Sequence, residues 1–333
     1  MRVLCDPNGS NLPILQASAA IVVPFEIAQR FDAAAVDRLA REIVGFDPDI
    51  LHLFNNRAVL NGLRAARGSR ARIVAYRGNV GNVSFFDPLA WMRYLNPRVD
   101  RIVCVSESVR ESLAEVGFLG WHLQPEKLVT IHKGHDLSWY SQPPIDLEPL
   151  GVPRDAFVVG CVANWRPRKG VEILLDACER LEPDMRVHLV LVGETGTSKL
   201  VQRVAASPIR DRVHVLGPRA DAPAVAAAFD VAVLPAVKRE GLPKTVIEAM
   251  AYGVATIASR VGGVAEIIED GVSGIIVPPG DAQALAEAIA RLHDAPGLRE
   301  ELGRRGKERI RTHFRIEDTI AKTAALYRSL ADL

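Results

Sequence analysis

Two glutamates bracket a stretch whose residue types could hold a phosphorylated nucleoside: Glu240-Gly241-Leu242-Pro243-Lys244-Thr245-Val246-Ile247-Glu248. It follows an apolar run, Val231–Leu234, that ends at Pro235, so it reads as a strand-to-helix loop at the carboxyl edge of a sheet. Gly241 allows backbone to approach a ligand closely, and Pro243 presets the first turn of the helix. The N–H groups of that turn have no partner inside the helix and carry partial positive charge, which makes an anion site suited to a diphosphate. Glu248 falls among Val246, Ile247, Ala249 and Met250, where an unpaired carboxylate is costly. Ribose hydroxyls would satisfy it. A core arginine would do the same, and Glu240 would then be an ordinary loop charge.

The elements that must present this loop follow from apolar periodicity. In the second half, β-rich runs at 157–163, 187–192, 213–216, 231–234, 254–258 and 274–277 are each followed by a helical pattern. Short runs bounded by Gly and Pro, with helices between, predict βαβ units around a parallel sheet covered on both faces. Right-handed crossovers make such a layer doubly wound. Helices are predicted at 281–293, 297–312 and 316–330, the last with Ile320, Ala324, Tyr327 and Leu330 as its docking face. The first half is thinner, with strands predicted at 3–5, 21–23, 50–54, 73–76, 102–105 and 128–131 and helices at 32–44 and 106–116. The proline-rich, aperiodic segment 141–149 reads as a linker. The resulting division is 1–145, 150–315, and a helix 316–333 that returns to the first domain. A cleft between two such domains faces their strand ends.

Bulk properties exclude several classes. A chain of 333 residues suits two domains, and a formal net charge of +1 gives no field directed at nucleic acid. Cys5, Cys104, Cys161 and Cys178 share no CxxC spacing, and Cys104 and Cys161 lie in apolar runs, which suits a reducing compartment. No run approaches the ~18 apolar residues of a membrane span, so a cytoplasmic protein is expected, with peripheral contact at the inner face of the membrane still open to its basic clusters. No His/Asp/Glu cluster has metal-ligand spacing, and no cofactor is expected beyond a nucleotide sugar as co-substrate.

The segment running on through Ala251-Tyr252-Gly253, Val261-Gly262-Gly263-Val264-Ala265-Glu266-Ile267-Ile268 and Asp270-Gly271-Val272-Ser273-Gly274 resembles the retaining glycosyltransferases of family 4, which have the GT-B fold. Their two signature glutamates, with seven residues between them, are matched by Glu240 and Glu248. The resemblance implies that Glu240 and the backbone of Gly241 to Thr245 hold the donor sugar and diphosphate, with N–H donors from all but Pro243, and that Glu248 holds the ribose. It also implies a diphosphate role for Lys169 in Asn164-Trp165-Arg166-Pro167-Arg168-Lys169-Gly170. The family's partner arginine is replaced by Asn164, and Arg166 or Arg168 could supply the missing guanidinium. Gly193 and Gly217 fall at further strand ends facing the cleft, and Gly217-Pro218-Arg219 occupies the family's base-contacting position. In the first half Tyr76-Arg77-Gly78-Asn79 follows the strand that in the family often ends in a cleft histidine. Arg77 stands there, either binding an acidic group in the cleft or making a structural salt bridge.

The expected fold is thus α/β, GT-B, two doubly wound Rossmann-like domains facing a cleft, the N-terminal one lacking its first strand and helix. The chain reads as beginning at the family's second strand; without a central strand, neighbours lose ladder bonds worth ~1 kcal/mol each. Another chain, as in a homo-oligomer, could cover those edges. The function implied is metal-free transfer, with retention, of a sugar from a UDP- or GDP-type donor to a glycan or lipid-linked acceptor hydroxyl in bacterial polysaccharide biosynthesis. Glu240, Lys169 and Arg77 are the residues expected at the reaction. A non-catalytic sugar-nucleotide-binding protein and a GT-B epimerase are the rivals.

Overall fold

The computed structural model describes residues 1–9, 12–194 and 198–331. Its larger sheet has six parallel strands: β9 (Phe157–Val162), β10 (Val187–Val192), β11 (Val213–Gly217), β12 (Val231–Leu234), β13 (Ala255–Ser259) and β14 (Ile275–Val277), in the order β11-β10-β9-β12-β13-β14. Successive residues of a strand point to opposite faces, so both faces must be covered. Val159 and Cys161 of β9 enter one apolar core with Leu189 and Leu191 of β10. Val158, Val190 and Val192 enter another on the opposite face. This is why the runs are apolar throughout rather than alternating.

The chain runs outward from β9 to β10 and β11, then crosses back to lay β12 on the other side of β9. The loops after β9 and β12 therefore leave in opposite directions from adjacent strands and open a crevice at their carboxyl ends. Those loops are 163–170 and 235–243, the two that carry the residues singled out by chemistry.

In the first half β3 (Ile50–Leu53), β4 (Arg72–Arg77), β5 (Arg101–Cys104) and β8 (Leu128–Thr130) form a four-stranded parallel sheet. Strands β1 (Arg2–Cys5) and β2 (Ile21–Pro24) pair in parallel with each other and with no other strand. The two strands thus lie outside the four-stranded sheet. The residues of β1 are all partly exposed, and only Leu4 reaches the domain core. A two-residue hairpin, β6 (Gly117–Phe118) with β7 (Trp121–His122), and a helix at Asn56–Ala65 were not legible beforehand. The hairpin is too short to show alternation, and only the side chain of Asn55, accepting from the Ala58 N–H, marks the helix start.

The final helix, Ile316–Ala331, docks on the four-stranded sheet. Leu326 and Leu330 cover Val74, Val103 and Ile131, and the Tyr327 hydroxyl lies 2.6 Å from His52 Nδ1. The docking stripe differs from expectation. Ile320 is 61% exposed, while Thr319 faces inward, donating its hydroxyl to His132 O at 2.8 Å and accepting from the Gly134 N–H at 2.7 Å. Those two bonds set the helix rotation, and Ile320 turns to solvent.

Candidate functional site

The loop after β9 begins in extended backbone and tightens into a short turn, Pro167–Lys169, that ends at Gly170 with φ 66°. A Cβ at Gly170 would stand 2.0 Å from Pro235 O, so glycine there serves both the turn and its approach to the loop after β12. The result is direct: Lys169 Nζ lies 2.8 Å from Glu240 Oε1, and Arg168 Nη1 lies 3.6 Å from the same oxygen. Glu240 is only 5% exposed. The ammonium approaches off the hydrogen-bonding direction, and Oε1 accepts no hydrogen bond among the described residues. A buried carboxylate held by charge alone keeps unused acceptor capacity.

Beside this pair a cleft of about 420 Å³ is lined by Arg166, Arg168, Lys169, Gly193, Arg219 and Thr245, with Asn164 and Ala222 on its walls. That volume lies within the usual range for small-ligand sites. Six of the residues singled out from sequence are thus brought together. The arginine ambiguity narrows as well. Arg168 is committed to Glu240 and, at 3.3 Å, to Arg239 O. Arg219 makes a two-pronged pair with Asp221 at 2.8 and 2.7 Å. Arg166 is exposed and makes no ion pair among the described residues. Asn164, where the family has its arginine, is spent on the loop, accepting from the Glu194 N–H at 3.2 Å.

The remaining predicted residues lie around this cleft. Gly217 has φ 70° and its carbonyl accepts from the Gly193 N–H at 2.8 Å, tying together the ends of β10 and β11. Pro243 is the residue before the helix Lys244–Tyr252, not its first helical residue, so the presetting is of the approach to the helix. Lys244 leads that helix, and its exposed ammonium reaches back to Glu248 Oε1 at 2.5 Å. Glu248 is 6% exposed. Its partner is therefore a lysine one turn earlier rather than a core arginine. Burial first, and the Glu248 charge next, push up the phenol pKa of Tyr140 and Tyr252, which places both rings near this carboxylate. Leu242 bridges the apolar cores of the two domains.

Arg77 stands apart from the cleft lining. It is 6% exposed, donates from Nη2 to Gly81 O, and lies 5.0 Å from the Tyr94 ring centroid. Its Nε has no partner, and it makes no salt bridge among the described residues. It braces the loop 78–81 instead. That loop meets the donor-side loop closely, because a Cβ on Gly241 would fall 2.0 Å from Gly78 O. Among the described residues no three His, Cys, Asp or Glu side chains gather as a metal site, and no helix is long and apolar enough to cross a membrane.

Residues 156–295 match the family described as Glycosyl transferases group 1, and residues 2–139 match Glycosyltransferase Family 4. The lipopolysaccharide core biosynthesis glycosyltransferase LpsD of Rhizobium meliloti is 30% identical over 279 residues, which is 83% of this chain and 74% of that protein. The phosphatidyl-myo-inositol mannosyltransferase of Mycobacterium leprae is 28% identical, over 98% of this chain and 89% of its own. Among solved structures, HepE of Anabaena in complex with UDP-glucose superposes with a TM-score of 0.83 at 22% identity, covering 98% of this chain and 91% of the other.

Proposed function

The chain belongs to the family 4 glycosyltransferases of the GT-B fold, and from that premise we propose that it moves a sugar from a UDP- or GDP-sugar to an acceptor hydroxyl with retention of configuration. The observation that carries the reading is the buried Glu240 carboxylate pinned by Lys169 at the mouth of a cleft walled by arginines. In this reading the nucleoside diphosphate lies in that cleft. Arg166 and Lys169 face its phosphates, Thr245 and the helix N-terminal amides complete the anion site, and Arg219 flanks the base. Glu248 accepts from the ribose hydroxyls once Lys244 swings away. The free acceptor capacity of Glu240 Oε1 is offered to hydroxyls of the donor sugar.

The reaction breaks the bond from the sugar's anomeric carbon to the phosphate oxygen and forms one to the acceptor oxygen on the same face. The acceptor proton passes to the departing phosphate oxygen, and nucleoside diphosphate leaves. Cations fixed beforehand at the leaving group supply stabilisation where negative charge grows, without a metal. Arg77 acts through the loop 78–81 rather than on the substrate. The relatives of lipopolysaccharide core and phosphatidyl-myo-inositol assembly support a glycan or lipid-linked acceptor and a place in bacterial glycan biosynthesis.

Calorimetric titration with UDP and GDP, paired with hydrolysis of UDP- and GDP-sugars, tests the reading. Glu248→Ala is expected to weaken nucleotide binding by about 1–3 kcal/mol through lost hydrogen bonds. Unchanged affinity would remove its ribose role. Tight nucleotide binding without turnover on any acceptor would favour a non-catalytic binding protein.

A further inference from the structure

One carboxylate outside the cleft spans the two domains. Glu266 lies in the short helix Val264–Ile267 of the second domain, three residues beyond Gly263. Its Oε2 accepts from the Glu107 N–H at 2.8 Å and lies 2.6 Å from His132 Nε2. Its Oε1 accepts from the Ser108 N–H at 3.0 Å and the Ser108 hydroxyl at 3.1 Å. All four partners belong to the first domain. Glu107 and Ser108 open the helix Glu107–Ala114, whose first N–H groups have no partner within the helix. Ser106 caps that helix by accepting from the Val109 N–H, which leaves the two earlier amides free for Glu266. The side chain of Glu107 is turned away to Thr130 and Arg110, so no local carboxylate competes.

Glu266 is firmly mounted on its own side. Arg309 donates to Glu266 O at 3.0 Å and to Ile267 O at 2.7 Å. The same segment is bonded to the donor-side loop, since the Gly263 N–H donates to Gly241 O at 2.8 Å. A Cβ at Gly263 would stand 2.9 Å from Ser106 Cβ. Burial works against the charge on Glu266, but hydrogen bonds from His132, Ser108 and Glu107 outweigh it and hold the carboxyl below the usual glutamate range.

We propose that Glu266 is a positioning residue that latches the two domains closed, its carboxylate filling the N-terminus of helix Glu107–Ala114 and thereby fixing the Gly241 loop against the loop 78–81. Each carboxylate oxygen is doubly partnered, and such charge-assisted bonds are the strong ones. They form only when the domains are together. The inference does not depend on the identity of the nucleotide or the sugar.

Small-angle X-ray scattering of the full chain without nucleotide, with hydrogen exchange of the Glu107 and Ser108 amides, reads the latch. Glu266→Ala is expected to raise the radius of gyration and to speed exchange at those two amides on the order of tenfold or more. Glu266→Gln, which keeps acceptor oxygen but no charge, falls between the two. Melting temperatures of all three proteins should stay close, because the bonds lost lie between the domains and not inside either one. Ser108→Ala, which removes one bond and leaves the carboxylate, gives a smaller change in the same direction and serves if Glu266→Ala does not fold. Wild-type scattering and amide exchange in Glu266→Ala would overturn the latch. Failure of the wild type to bind UDP or GDP would overturn the donor assignment and leave the scattering result standing.

Discussion

Lys169 and Arg168 lean on one buried carboxylate, and this divides the cations around the cleft into two kinds. Those two are partly neutralised by Glu240, whereas Arg166 has its charge uncommitted among the described residues. An uncommitted guanidinium is the one free to fork onto an incoming phosphate. Arg166→Ala is therefore expected to lower affinity for UDP by roughly 1.5–3 kcal/mol, while affinity for uridine, which lacks the phosphates, stays as it is. Titration of both ligands into both proteins checks this, and equal losses for UDP and uridine would place Arg166 elsewhere. Glu240 and Glu248 could be singled out from residue type and spacing within one short segment, and Lys169 from the resemblance of its loop to the family's Lys-Gly pair. The choice between Arg166 and Arg168 was not legible, because it turns on Glu240 reaching Arg168 from 72 positions away in sequence (240 − 168). The surroundings of Arg77 were not legible for the same reason: they are made by Gly81 and Tyr94, which no local pattern announces.

Where the returning helix Ile316–Ala331 meets strand β3, a neutral histidine is built into the contact. His52 bonds Tyr327 and is pushed by burial from 6.5 down to about 4. The folded ring stays neutral where an unfolded one takes up a proton. Its contribution to stability is thus complete above about pH 6.5 and is lost as pH falls toward 4. Within that window the loss approaches ~1.4 kcal/mol per pH unit. His135, also pushed to about 4 by burial and by the nearby Lys133 and Lys244, adds a second share. His52→Gln should flatten the fall in urea midpoint between pH 7 and pH 5 relative to wild type; a parallel fall would deny His52 this part. The helix itself was legible from its apolar period. Its rotation was not, since the hydroxyl of Thr319 bonding His132 and Gly134 overrides the stripe that Ile320 belonged to.

Across the whole molecule, the two halves differ in how completely their sheets are knit. The six-stranded sheet is continuous, and its switch between β9 and β12 positions the cleft; wholly apolar runs separated by helical patterns made the parallel sheet readable in advance, but not its strand order. In the first domain β1 and β2 stand outside the four-stranded ladder with little burial. Hydrogen exchange of the native protein should accordingly release the amides of β1 and β2 well before those of β4 and β5. Equal protection would mean that the two sheets act as one. The docking of Leu326 and Leu330 on Val74, Val103 and Ile131 bears on how the protein is made. The apolar side of the first-synthesised sheet waits, uncovered, for a helix that leaves the ribosome only after the entire second domain. During translation that face stays uncovered until the helix arrives, and the first domain gains its full set of native contacts only when synthesis has passed the second.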